Sequence, residues 1–173
     1  LIIVETSDPA PASERPGPAR RLALLLATAG GAGYAPVAPG TFGSAVGVAL
    51  FWPLAALGTA GVLLAAAALL AAGIWAADET ERHYGRKDDG RIVIDEVVGQ
   101  LLTLAPLIGF GAARSPLWLV TGFVAFRLLD IWKPGPARWM ERRLPGGAGV
   151  MMDDVVAGLL GGVLMAGLLW GLS

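Results

Sequence analysis

The sequence predicts an all-α fold: an integral membrane helical bundle of about four to five transmembrane helices, preceded by a short N-terminal interfacial or re-entrant element. Three observations predict it. Hydrophobic residues make up 55% of the chain and charged residues 16%, against roughly 45–50% and 25% in soluble globular proteins. Mean hydropathy is +0.63. Five segments, 41–57, 60–77, 97–113, 116–132 and 155–172, reach or approach the ~17–20 apolar residues a membrane helix needs.

Residues 1–20 contain four prolines and mixed charges and read as a flexible tail. The apolar run at Leu1–Val4 is too short for a signal core, and Glu5 and Asp8 follow it closely. Residues 21–173 read as one membrane-embedded domain. Its first apolar run, 22–27, is too short to cross and fits the interfacial or re-entrant element. The 60–77 segment is the strongest argument against a soluble bundle. From Gly61 to Ala72 it is apolar around its circumference, whereas a soluble helix keeps a polar stripe.

Basic residues give the orientation, because they concentrate on the cytoplasmic side. Arg15, Arg20 and Arg21 precede the first segment. Arg82, Arg86, Lys87 and Arg91 lie between the second and third, and Lys133, Arg138, Arg142 and Arg143 between the fourth and fifth. Eleven of the thirteen basic residues thus share a side; Arg114 is opposite and Arg127 lies within a segment. The N-terminus and both long loops are expected to be cytoplasmic. Trp75 and Trp132 then fall near the inner boundary and Trp118 and Trp170 near the outer one, while Trp52 fits less well.

Several function classes drop out. A net charge of −1 and no basic block leave no nucleic-acid footprint. The absence of cysteine removes disulfides, thiolate metal sites and cysteine nucleophiles. His83, the single histidine, excludes a phosphatase that needs two, and its charged loop suggests a solvated side chain.

Four motifs carry the chemistry. The first, Gly30 to Ser44, is rich in Gly and Pro and leads into the first segment. Its Thr41 and Ser44 sit where a helix starts, a place that favours phosphate; a plain turn with Thr41 as helix cap accounts for the same residues. The second places Asp95 and Glu96 at the start of an apolar helix, after an Asp88-Asp89-Gly90 stretch that reads as a solvated turn. Adjacent carboxylates fit an ordinary helix start, but they also suit Mg²⁺, which takes one or two carboxylates plus phosphate and water. The third spaces Arg127, Asp130 and Lys133 along one drifting helix face, as a salt-bridged ladder or a phosphate-binding edge; Pro134 ends that helix. The fourth, Gly146 to Asp154, repeats the carboxylate pair as Asp153-Asp154 before the last segment. Helix capping explains one aspartate, not two pairs on one face. Five carboxylates and two cations at one interface favour metal-assisted phosphate chemistry.

In this order the motifs resemble the phosphatidylglycerophosphatase A family. The matching residues are Gly33-Tyr34-x-Pro36 with Pro39-Gly40-Thr41-x-Gly43-Ser44, then Ile94-Asp95-Glu96 with Gly99. They continue with Phe126-Arg127-x-x-Asp130-x-Trp132-Lys133-Pro134-x-Pro136 and Gly146-Gly147-x-Gly149-x-Met151-x-Asp153-Asp154-x-x-Ala157-Gly158. The resemblance implies a multi-pass protein of the bacterial inner membrane whose active site faces the cytoplasm. It implies Mg²⁺-dependent hydrolysis of phosphatidylglycerophosphate to phosphatidylglycerol and inorganic phosphate. The implied catalytic residues are Asp95, Glu96, Asp130, Asp153 and Asp154, with Asp95, Glu96, Asp130 and Asp154 holding metal. Arg127, Lys133, Thr41 and Ser44 would hold the substrate phosphate, and the partners are the phospholipid and the bilayer.

Two rivals stay in view. A lipid-headgroup phosphotransferase would carry an Asp-Gly-x-x-Ala-Arg run, which Asp89-Gly90-Arg91 does not continue. A small cation transporter would place carboxylates at the midplane, whereas these gather at helix ends.

Overall fold

The computed structural model describes residues 16–132, 135 and 144–172. All its regular elements are helical. In chain order they are α1 (Pro18–Ala27), a 3₁₀ turn (Ala29–Tyr34), α2 (Pro39–Leu54), a 3₁₀ turn (Ala55–Leu57), α3 (Gly58–Tyr84), α4 (Ile94–Leu104), α5 (Pro106–Gly109), α6 (Pro116–Trp132) and α7 (Gly146–Leu172).

The N-terminal element is a hairpin laid against α3. Arg20, near the start of α1, donates to Glu79 at 3.0 Å near the end of α3. Seven residues on, Ala27 is fully buried, and its carbonyl accepts the Val93 amide at 2.8 Å. Gly30 (φ 71°) and Gly31 (φ 104°) then reverse the chain, using backbone conformations that side chains disfavour. The return brings the Tyr34 hydroxyl to 3.0 Å from that of Tyr84, at the last residue of α3. α1 begins at Pro18, so residues 18–20 of the expected tail are helical.

The core is built around α4, which packs on α2, α3, α6 and α7. Nine of its eleven residues are buried. α4 and α7 run in the same direction with matched steps: Asp95 meets Asp154, Gly99 meets Gly158, and Thr103 meets Gly161. A side chain on Gly158 would place its Cβ 2.5 Å from the Gly99 carbonyl oxygen and 2.8 Å from the Gly99 Cα. The two backbones therefore touch, as small residues permit in membrane bundles. The Thr103 hydroxyl lies within hydrogen-bonding reach of both the Gly99 and Gly158 carbonyls, at 3.1 and 3.2 Å. The α2–α4 contact uses the same device. Gly43 faces Val93, and Gly47 faces Val97 and Gln100. Gly43, part of the first sequence motif, thus serves helix packing.

The exterior is apolar where a soluble protein would be polar. Leu64 (72% exposed), Val120 (61%), Val163 (73%) and Trp170 (78%) all point outward, consistent with a lipid-facing surface. Among the described residues, two helical stretches, Pro39–Tyr84 (the α2–α3 hairpin) and Gly146–Leu172, are long and apolar enough to cross a membrane. The expected third span is interrupted: within residues 97–113, α4 stops at Leu104, the four-residue helix α5 starts at Pro106, and Gly111 takes φ 67°. A proline lacks the amide that would continue the ladder. The fifth expected span begins earlier than its charges suggested, at Gly146. Trp52 also finds its reason: the Arg114 guanidinium stacks over its ring at 5.5 Å, placing it at the end of the bundle away from the carboxylates.

Candidate active site

The carboxylates converge because α4 and α7 are in contact at Gly99 and Gly158. Asp95 and Glu96 occupy the first turn of α4. Asp153 and Asp154 do not open a helix as expected. They lie two turns inside α7, because its glycine-rich start is helical. That start is held by Asp78 of α3, whose carboxylate accepts the Gly147 amide at 2.6 Å. Both pairs share one local geometry: the first aspartate accepts the amide of the next residue, Asp95 from Glu96 at 3.1 Å and Asp153 from Asp154 at 3.0 Å.

Carboxylate oxygens of Asp95, Glu96 and Asp154 lie within 4.8 Å of one another. Asp95 and Asp154 are buried, at 8% and 3% exposure. Three ionised groups at that spacing repel on the order of 3–4 kcal/mol per pair at an effective dielectric near 20. The Arg127 guanidinium does not offset this alone. Its Nη1 donates to Asp130 at 2.6 Å and lies 3.9 Å from Glu96 Oε1. Glu96 Oε2 and Arg127 Nε are buried without a protein hydrogen-bond partner. A trio of hard oxygen donors, one oxygen unpartnered, fits a divalent cation of the Mg²⁺ type.

These residues line a cleft of about 350 Å³ together with Ala38, Pro39 and Gly40 at the start of α2, and Asp88, Gly90 and Ile92 before α4. A Cβ on Gly40 would strike Glu96 Oε1 and approach Arg127 Nη1 to 3.1 Å, so a side chain there would displace both groups. Ala38 and Asp88, both on the cleft wall, adopt left-handed backbone (φ 49° and 51°). Such backbone is uncommon for alanine and less so for aspartate; Ala29, away from the cleft lining, shares it (φ 47°).

The expected residues separate into groups. Asp95, Glu96, Arg127, Asp130, Asp153 and Asp154 all reach the cleft. Asp130 stands on its wall, engaged by Arg127 and next to Asp154. It is outside the three-carboxylate group. Thr41 and Ser44 are not on the cleft lining. Ser44 is fully buried and donates its hydroxyl to the Gly40 carbonyl at 2.9 Å, so the helix start meets the cleft through Ala38–Gly40 instead. Lys133 lies outside the described residues. His83 is exposed at the end of α3.

The Asp88-Asp89 stretch is corrected. Asp88 lines the cleft, and Asp89 is buried, at 2% exposure. Both Asp89 oxygens accept from Arg91, from Nε and Nη2, each at 2.7 Å. This bidentate bond holds the Asp89 carboxyl below the usual carboxylate range. Arg91 is in turn stacked over Tyr84 at 3.4 Å. Gln100 was also passed over: it is fully buried one turn below Glu96, with neither amide atom hydrogen-bonded within the protein. Only its position four residues after Glu96 marked it in the sequence.

Comparison with known proteins bears on this arrangement. The family model described as phosphatidylglycerophosphatase A matches residues 25–169. The chain is 37% identical over 146 residues to phosphatidylglycerophosphatase A of Escherichia coli, covering 84% of this chain and 80% of that one. It is 37% identical over 136 residues to phosphatidylglycerophosphatase A of Haemophilus influenzae, with 78% and 81% covered. A Bacteroides thetaiotaomicron protein carrying the provisional name phosphatidylinositol-3-phosphatase is 39% identical over 160 residues, with 86% and 94% covered. No solved structure gives a significant match.

Proposed function

The chain belongs to the phosphatidylglycerophosphatase A family, and from that membership we propose that it hydrolyses phosphatidylglycerophosphate to phosphatidylglycerol and inorganic phosphate. The observation that carries the reading is the carboxylate trio Asp95, Glu96 and Asp154 beside Arg127, with Asp95 and Asp154 buried, in a cleft open to a phosphate. The site operates at the cytoplasmic face of a bacterial inner membrane, with the N-terminus on that side and four to five crossings. The one-sided distribution of basic residues supports this topology.

Asp95, Glu96 and Asp154 would hold Mg²⁺. When bound, such an ion neutralises phosphate charge and acidifies a water. Arg127 is fixed by Asp130 so that its remaining donors address the non-bridging phosphate oxygens. Lys133, directly after α6 in sequence, supplies a second cation to the same phosphate. A wall carboxylate, Asp130 or Asp153, takes the proton of the attacking water. The water oxygen bonds to phosphorus as the ester bond breaks, and the leaving glycerol oxygen takes up a proton. Because the cleft is set in an apolar exterior, the acyl chains can stay in the bilayer while the phosphate enters.

The test is phosphate release by purified protein in liposomes, with and without Mg²⁺. Phosphatidylinositol 3-phosphate serves as a second substrate because of the Bacteroides relative. We expect Mg²⁺-dependent release from phosphatidylglycerophosphate. Asp154→Asn and Asp130→Asn should each lower turnover by about 10² or more with membrane insertion unchanged. Release that ignores the metal, or full turnover in either variant, would remove that element of the mechanism. Trapping a labelled phosphoprotein would replace direct water attack with an aspartyl-phosphate route.

A further inference from the structure

We propose that the groove between α2 and α6 seats an acyl chain of the phospholipid substrate and is the side from which that lipid enters the cleft. The inference rests on the proposed lipid-phosphatase reading and adds the location of the tail. The groove is lined by Ala45 and Val48 of α2 and by Leu119, Val120 and Phe123 of α6, and has a volume of about 210 Å³. All five side chains are apolar.

Its occupant is argued from continuity with the site. The same two helices supply the near wall of the cleft: Gly40 from α2, and Arg127 and Asp130 from α6. Phe123 precedes Arg127 by four residues, about one helical turn or ~6 Å, and Ala45 follows Gly40 by five, about 7–8 Å. An anionic group at Arg127 and a hydrocarbon chain along Phe123 and Val120 are therefore the two ends of one amphiphile. The groove also opens outward, since Val120 is 61% exposed and Ala45 is exposed.

A second apolar groove lies on the other side of α2, among Leu25, Leu26, Val46, Leu50, Leu69 and Val97. It is lined from α1, the following turn, α2, α3 and α4 and takes no wall from α6 or α7, so it does not lead to Arg127 in the same way.

A tail moving from bilayer to groove gains little transfer free energy, since both are hydrocarbon. What it gains is orientation. A seated chain fixes the glycerol end and holds the phosphate over the carboxylates, converting binding into alignment. The groove should therefore matter for long-chain substrates and be irrelevant to substrates with no tail to seat.

The experiment compares a long-chain diacyl phosphatidylglycerophosphate in mixed micelles with a water-soluble dibutyryl analogue. Two variants block the groove from opposite walls: Ala45→Trp on α2 and Val120→Trp on α6. We expect each to lower kcat/KM for the long-chain substrate by about tenfold or more, while turnover of the soluble analogue stays within about twofold of wild type. Preserved turnover of the soluble analogue also shows that the variants fold. Equal loss on both substrates in both variants would make the groove a packing feature and overturn the proposal. Unchanged kcat/KM on both would overturn it as well. If, with kcat/KM unchanged, the mass in detergent also shifted, a second copy of the chain would be the occupant. Failure of the wild type to release phosphate from either substrate would instead bring down the underlying phosphatase reading, a result distinct from normal wild-type turnover with insensitive variants.

Discussion

Asp89 shows how two adjacent aspartates acquire different physical roles. It is buried and doubly bonded to Arg91, while its neighbour Asp88 faces the cleft. The Asp89 main chain also accepts the Ile92 amide at 2.8 Å, and the next amide, Val93, binds Ala27. The ion pair thus fixes the segment that delivers α4 to the site. Because Arg91 depresses the Asp89 pKa, the pairing contributes stability above the unfolded carboxyl value of about 3.9. That contribution is lost as pH falls through the lower folded value. We expect Asp89→Asn to speed amide exchange at Ile92 and Val93 relative to wild type at pH 7, with the gap closing in acid. A gap that persists undiminished at about pH 3 would show that the charge is not what holds the segment. The Asp-x-Arg spacing was visible in the sequence. The burial was not, because it depends on Tyr84 stacking and on the tie to Ala27, both distant in the chain.

At the scale of elements, the crossing of α4 and α7 governs the carboxylate trio. Gly158→Ala would force its methyl into the Gly99 backbone, separating the helices and, one turn away, Asp95 from Asp154. Overpacking of this kind costs about 1–3 kcal/mol. A lower melting temperature in detergent and a loss of turnover should appear together. Gly167→Ala and Gly171→Ala are matched controls, since a Cβ at either meets nothing within 4 Å. Comparable losses in the controls would mean that helix flexibility, not contact, is at issue. The sequence marked the start of α6, because Pro116 opens it and apolar residues fill it. It misled at α7, where Gly146 to Gly149 precede the expected 155–172 segment yet are helical. Glycine disfavours helix locally, and the Asp78 carboxylate on α3 reverses that preference by capping the first turn.

For the whole molecule, composition together with the long apolar runs was enough to predict a helical bundle with an apolar exterior. The span count was less legible, because hydropathy registers the 97–113 run but not the break that Pro106 makes in it. The helices also differ in length by location. α3 and α7, at 27 residues each, extend about 40 Å, whereas α2, at 16 residues, extends only about 24 Å. On the proposed membrane arrangement, the α2 side of the groove is shorter than a hydrocarbon layer of about 30 Å. A bilayer meets a short wall by thinning against it. Headgroups beside α2 would then sink toward the carboxylates, so that part of the substrate's descent is supplied by deformation of the membrane. Turnover of one substrate in vesicles of short-, medium- and long-chain host lipids should therefore fall as the host thickens, whereas a flat profile would rule out mismatch as a contributor. The short helix would make this enzyme a gauge of the membrane whose lipid it completes.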